Sequence, residues 1–229
     1  MNTGAGAKSL QRTKKMVTLA VMAAIAYVAM VFIRIPAVEF LKYEPKDVII
    51  TLAGFIYGPL SAFAISVVVS LLEMVTVSTT GPVGMLMNIL STCAFACTAS
   101  FIYKRRQKLS GAVIGLVAGI VLTVAVMIPW NYFMTPYYMP VTREVVATML
   151  LPVFLPFNLI KTSLNAALLM LLYKPVVTAL RKAHLVPPSS GGDGSAKTGG
   201  FKLSLGVALV SLLVLASAIL AVLVFQGVI

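Results

Sequence analysis

MLLPVFLPFNLIKTSLNAALLMLLY, residues 149–173, reads as a membrane-crossing helix that carries a charge inside it. Lys161 has Asn158 one turn before it and Asn165 one turn after it. Spacings of three and four put these polar groups on one face. A lysine near the middle of a lipid-spanning helix costs about 2.5–3.5 kcal/mol on insertion scales, so it turns toward the protein interior to meet a partner or a ligand.

The rest of the chain fits that reading. Of 229 residues, 60% are hydrophobic and only 10% charged, and the mean hydropathy is +1.01. Soluble domains carry about 25% charged residues, so the class is an all-α integral membrane protein. A net charge of +12 in a soluble domain would suggest nucleic acid. Here the basic residues gather in a few loops, which is a topology signal, and no nucleic-acid partner is expected. The start, MNTGAGAKSLQRTKK, leads into an apolar segment with no small-residue cleavage site and reads as a retained cytoplasmic tail. Cys93 and Cys97, four apart in an apolar helix, read as small buried residues.

Working outward, the expected spans are Met16–Ile33, a short Val48–Tyr57, Leu60–Ser78, Gly84–Tyr103, Gly111–Trp130 and Met149–Tyr173. A linker-like PPSSGGDGSAKTGG at Pro187–Gly200 precedes a last apolar stretch, Leu203–Phe225. Val48–Ser78 would run about 46 Å as one helix, against a hydrocarbon core of about 30 Å. Gly58–Pro59 is where it breaks.

Charge tests the break. With six spans before the linker, one side of the membrane collects Lys8, Arg12, Lys14, Lys15, the KRRQK run at Lys104–Lys108, Lys174, Arg181, Lys182, Lys197 and Lys202, against Asp193 alone. The other side holds Arg34, Lys42, Lys46 and Arg143, balanced by Glu39, Glu44, Asp47 and Glu144. The excess positive charge then lies in the cytoplasm, as the positive-inside rule requires, and the loops Arg34–Asp47 and Asn131–Ala147 lie outside. An unbroken Val48–Ser78 violates the rule in either orientation.

Asn131, Asn158, Lys161 and Glu73 then fall in the outer half of the bundle, under the two longer outer loops, as in a cavity that opens outward. Glu73 is the candidate buried charge partner of Lys161, and a purely structural ion pair is the plainer reading of that lysine. Asparagines also serve as interhelical glue, the role expected for the deeper Asn165. No catalytic constellation is present: His184 stands alone in the basic tail, and there is no phosphate-binding glycine loop. The chain is expected to be neither an enzyme nor an ATPase, and to hold no cofactor or metal.

Taken together, FLKYEPKDVIITLAGFIYGP (Phe40–Pro59), TGPVGMLMNILS (Thr80–Ser91), PWNYF (Pro129–Phe133) and PFNLIK (Pro156–Lys161) resemble the S components of energy-coupling-factor vitamin transporters, in particular the riboflavin-binding kind. The resemblance covers roughly Lys14–Lys182. It implies a six-helix core at 16–182, after a tail at 1–15, which captures riboflavin from outside in a bacterial cell membrane. The implied ligand contacts are Asn131, Asn158 and Lys161, with Leu41, Lys42 and Tyr43 from the closing first loop and Asn88 as an addition. An alanine motif on the first helix implies that Ala20, Ala23 and Ala24 dock a transmembrane T component, with two ATPase subunits supplying energy. The chain departs from the family in a linker at 183–202 and an added transmembrane helix at 203–226, which puts the C-terminus outside if that helix spans. Alternatives are an S component for another vitamin, or a membrane scaffold or enzyme with a structural lysine.

Overall fold

A computed structural model describes residues 3–38, 41–182 and 205–225. The linker at 183–202, His184, Asp193, Lys197, Lys202, Glu39 and Phe40 lie outside those residues. The chain is helical almost throughout. Helix α1 spans Thr3–Phe32 and is followed by a two-stranded antiparallel hairpin, β1 (Ile35–Val38) and β2 (Leu41–Tyr43). Then come α2 (Lys46–Tyr57), α3 (Pro59–Thr76), α4 (Gly81–Thr92), α5 (Thr98–Arg105) and α6 (Leu109–Met134). The last three are α7 (Arg143–Met149), α8 (Leu155–Lys182) and α9 (Leu205–Phe225). Single π-helical turns, Cys93–Cys97 and Leu150–Phe154, join α4 to α5 and α7 to α8 without a break.

The expected break after Tyr57 is present. Gly58 sits at φ 94°, a conformation that costs other residues a clash at Cβ, and its N–H still caps the Gly54 carbonyl at 2.7 Å. Pro59 then opens α3 at a position where its missing N–H is not needed.

Five helical runs are long and apolar enough to cross a membrane: Ser9–Phe32, Pro59–Thr76, Gly81–Arg105, Leu109–Tyr137 and Arg143–Ala179. Helix α2, with 12 residues, is only about 18 Å long. In α9 the apolar stretch among the described residues is the shorter Ser211–Leu220. The all-α membrane class holds; length alone does not establish seven spans.

Two stretches read as loops are ordered differently. Arg34–Asp47 contains the hairpin, and its last residues, Lys46 and Asp47, form the first turn of α2 and are buried. Of Asn131–Ala147, the first residues extend α6 past Pro129, and Arg143–Met149 is helix α7. A proline forfeits one helical hydrogen bond, which the uninterrupted turns on either side absorb.

Small residues set the packing. A Cβ at Gly115 would lie 2.7 Å from the Ala99 carbonyl, and one at Gly119 would lie 2.8 Å from that of Phe95. Helix α6 therefore rides directly on the backbone of the α4–α5 run, the close approach that glycine allows between membrane helices. Ala26, Ala53, Ala62, Ala96 and Ala99 are completely buried in the same core. Large apolar side chains such as Val21, Ile25, Phe32 and Val121 point outward instead, as suits a lipid solvent.

On α1, Ala20 and Ala24 are exposed, whereas Ala23 turns into the core with Ala26. Ala23 therefore departs from the expected docking face: it is the chain neighbour of Ala24, about 100° around the helix, and its side chain is buried in the core. Helix α9 packs along α8 and reaches the hairpin: Ala218 clusters with Tyr43 and Leu164, with Leu215 and Ile160 packed against that cluster.

Candidate functional site

A small cavity lies between β2, α4, α6 and α8. Its polar walls are Asn88 and Ser91 from α4, Asn131 from α6, and Asn158 and Lys161 from α8. Leu41, Met87, Met127 and Phe157 supply the apolar surface. Each contribution follows from helix geometry. Asn88 and Ser91 are three apart, Met127 and Asn131 four apart, and Phe157, Asn158 and Lys161 lie within one turn, so each set shares a face.

Asn158 is 2% exposed; its amide N–H donates to the Phe154 carbonyl at 2.7 Å, which holds the side chain against its own helix. Asn88 and Asn131 make no side-chain hydrogen bond with another described residue, and Asn131 is nevertheless buried. Neither amide is among the fully buried polar groups left without a partner, so both can bond water or a ligand in the cavity.

The cavity measures about 30 Å³, room for a water or two, whereas pockets that enclose ligands of drug size run about 300–1,000 Å³. Among the described residues, Leu41, on the short β2 strand, is the one wall residue that no helix carries. A larger space of about 330 Å³ opens between α6, α8 and α9, but its only polar lining comes from Ser163 and Ser211. It offers little to orient a polar ligand.

Behind the cavity lies a polar core gathered around Asp47, in the first turn of α2. Lys161 Nζ stands 3.4 Å from Asp47 Oδ2. Thr92 Oγ1 donates to Asp47 Oδ1 at 2.6 Å, Asn165 Nδ2 donates to Oδ2 at 3.4 Å, and the Tyr43 hydroxyl donates to Asn165 Oδ1 at 2.9 Å. Burial first, and the charge of Asp47 second, push the Tyr43 phenol well above its ordinary range, so it remains a donor at neutral pH.

Glu73 is not the partner of Lys161. It belongs to a neighbouring cluster in which Lys46 bridges Glu73 and Glu44, the latter at 2.9 Å, while Arg34 faces Glu44 at 3.0 Å and Glu73 at 3.5 Å. The Arg34 Nε contact is an ion pair without an aligned hydrogen bond. Glu73 went to Lys46 because α2 begins at Lys46, which draws that residue out of the loop and into the bundle.

Of the residues singled out from sequence, Asn88, Asn131, Asn158, Lys161 and Leu41 share one cavity. Lys42 is exposed on the hairpin, and Tyr43 points away, into the polar core. Ser91, Met87, Met127 and Asp47 were missed. The first three lie one helical turn from a named asparagine or next to one, a signal the sequence does carry. Asp47 gave none, being counted among loop charges.

A family model described as "ECF transporter, substrate-specific component" matches residues 14–173. The chain is 27% identical over 183 residues to the "Riboflavin transporter RibU" of Staphylococcus aureus (strain TCH60), covering 76% of this chain and 96% of the relative. It is 26% identical over 190 residues to the "Riboflavin transporter FmnP" of Bacillus subtilis (strain 168), covering 76% and 99%. A solved structure, described as "Structure and mechanism of the S component of a bacterial ECF transporter", superposes with TM-score 0.64 at 28% identity, over 74% of this chain and 99% of that one.

Proposed function

Because the chain belongs to the family of substrate-specific components of ECF transporters, we propose that it is the riboflavin-binding subunit of a vitamin importer. The observation that carries this reading is the convergence of Asn88, Asn131, Asn158 and Lys161, from three helices, on one cavity closed by Leu41. Riboflavin presents ring carbonyls and ribityl hydroxyls to amide and ammonium donors, and a flat ring to walls such as Met87, Met127 and Phe157. Similarity to the two riboflavin transporters supports the choice of vitamin.

In this reading the hairpin faces outside, with Leu41 as the lid and Lys42 at its rim. The N-terminus is cytoplasmic, and the C-terminus is outside if α9 spans. Uptake requires a transmembrane T component and two ATPase subunits; this chain binds the vitamin and performs no hydrolysis. The test is a titration of riboflavin with purified protein, read by flavin fluorescence. Saturable quenching and a yellow protein are expected. A colourless protein that leaves the fluorescence unchanged defeats the reading.

The exposed Ala20 and Ala24 on α1 suit close approach by a helix of the T component. Ala24→Trp is expected to abolish uptake by cells that carry the ATPase module, while the quenching titration of the isolated protein stays within about twofold of wild type, as for an exposed site remote from the cavity. Undiminished uptake removes that face from the interface.

A further inference from the structure

We propose that Asp47 is a positioning residue: it holds the Lys161 ammonium at the cavity wall without touching the ligand. This deepens the riboflavin reading and rests on it. Asp47 is 2% exposed and does not line the cavity, whereas Lys161 does. Its carboxylate therefore approaches the ammonium from behind, at 3.4 Å, and leaves donors directed at the cavity. A lysine carries its three donors on a flexible four-carbon stem, so an ion pair that fixes the ammonium also fixes where those donors can reach.

The anchor is itself held on both oxygens. Thr92 from α4 donates to Oδ1 and Asn165 from α8 donates to Oδ2, while the Thr51 hydroxyl takes the Asp47 main-chain carbonyl at 2.6 Å. Asn165 in turn accepts from Tyr43 on β2. The hairpin that closes the cavity and the lysine that lines it thus meet on one carboxylate. Asn165, expected from sequence to act as interhelical glue, is the link between them.

The test is a double-mutant cycle read by riboflavin titration. Asp47→Asn keeps the size of the side chain and an acceptor for Thr92, and removes the charge. It is expected to weaken riboflavin binding about 10–100-fold in the wild-type background, the range for a lost charged hydrogen bond, and less than about twofold in the Lys161→Met background. Equal weakening in both backgrounds overturns the proposal, because Asp47 would then act independently of the lysine.

Thr92→Val, a smaller change that keeps the charge, is expected to cost about 2–10-fold, as a single neutral hydrogen bond does, again only when Lys161 is present. It decides the matter if Asp47→Asn fails to elute as a folded species. A ligand-free readout separates this proposal from the choice of vitamin. In protein labelled with ¹⁵N at lysine Nζ, the resonance lost in Lys161→Met should shift in Asp47→Asn. A resonance that stays in place overturns the anchoring role. A wild-type protein that never quenches riboflavin defeats the choice of ligand and leaves the resonance to decide on Asp47.

Discussion

Lys161→Met is expected to weaken riboflavin binding about 10–150-fold with the fold retained. A hydrogen bond from a charged donor is worth about 1.5–3 kcal/mol net, and each 1.4 kcal/mol is tenfold in affinity. Methionine keeps the length of the stem and its packing beside Phe157 and Met127. The loss therefore reports the ammonium and not a hole in the wall. The carboxylate of Asp47, left without its cation, still accepts from Thr92 and Asn165, which limits the damage to stability. Isothermal or fluorescence titration measures the effect. Binding that stays within twofold of wild type would make the lysine a structural ion-pair member only.

Glu73→Leu carries the largest expected loss of stability. Lys46 is 1% exposed, and Glu73 shares it with Glu44 while also facing Arg34. Removing Glu73 leaves two cations on one carboxylate inside the bundle. Breaking a buried pair costs about 3–5 kcal/mol. At about 2–4 °C per kcal/mol for a chain of this size, the apparent Tm falls by about 6–20 °C. The double change Lys46→Met with Glu73→Leu leaves the Arg34–Glu44 pair balanced at 3.0 Å and is expected to recover most of the loss. Thermal unfolding in detergent measures both. A double variant no better than Glu73→Leu alone would show that the cluster is not held by charge balance.

The sequence was most legible where one residue type has a single physical use. Gly58–Pro59 could only interrupt a helix, and charge in the flanking loops agreed. The face carrying Asn158 and Lys161 followed from spacing, because both stand on one uninterrupted helix. The partner of Lys161 did not follow. Glu73 was the acid read as lying inside the bundle, whereas Asp47 was counted among loop charges, and placing it required knowing that α2 starts at Lys46. The hairpin was invisible because its strands are four and three residues long, with a register shift between Pro36 and Val38. Such short strands give too few alternations to read. Polar and aromatic content made Asn131–Ala147 look like a loop, although α6 runs on through Asn131 to Met134.

The small space beneath Leu41 would set a tempo as well as a shape. On the proposed riboflavin reading, about 30 Å³ holds no flavin ring, so capture would take two steps, an encounter and an enlargement of the cavity. The measured dissociation constant is then the intrinsic one divided by the fraction of molecules that are open. On that reading residence time would follow how often the cavity reopens, and the register shift near Pro36, the Tyr43–Asn165 bond and the cluster of Ala218 with Tyr43 and Leu164 would bear on it. Speed and retention of the proposed ligand would then be open to retuning by changes in the hairpin and in α9, away from the cavity wall.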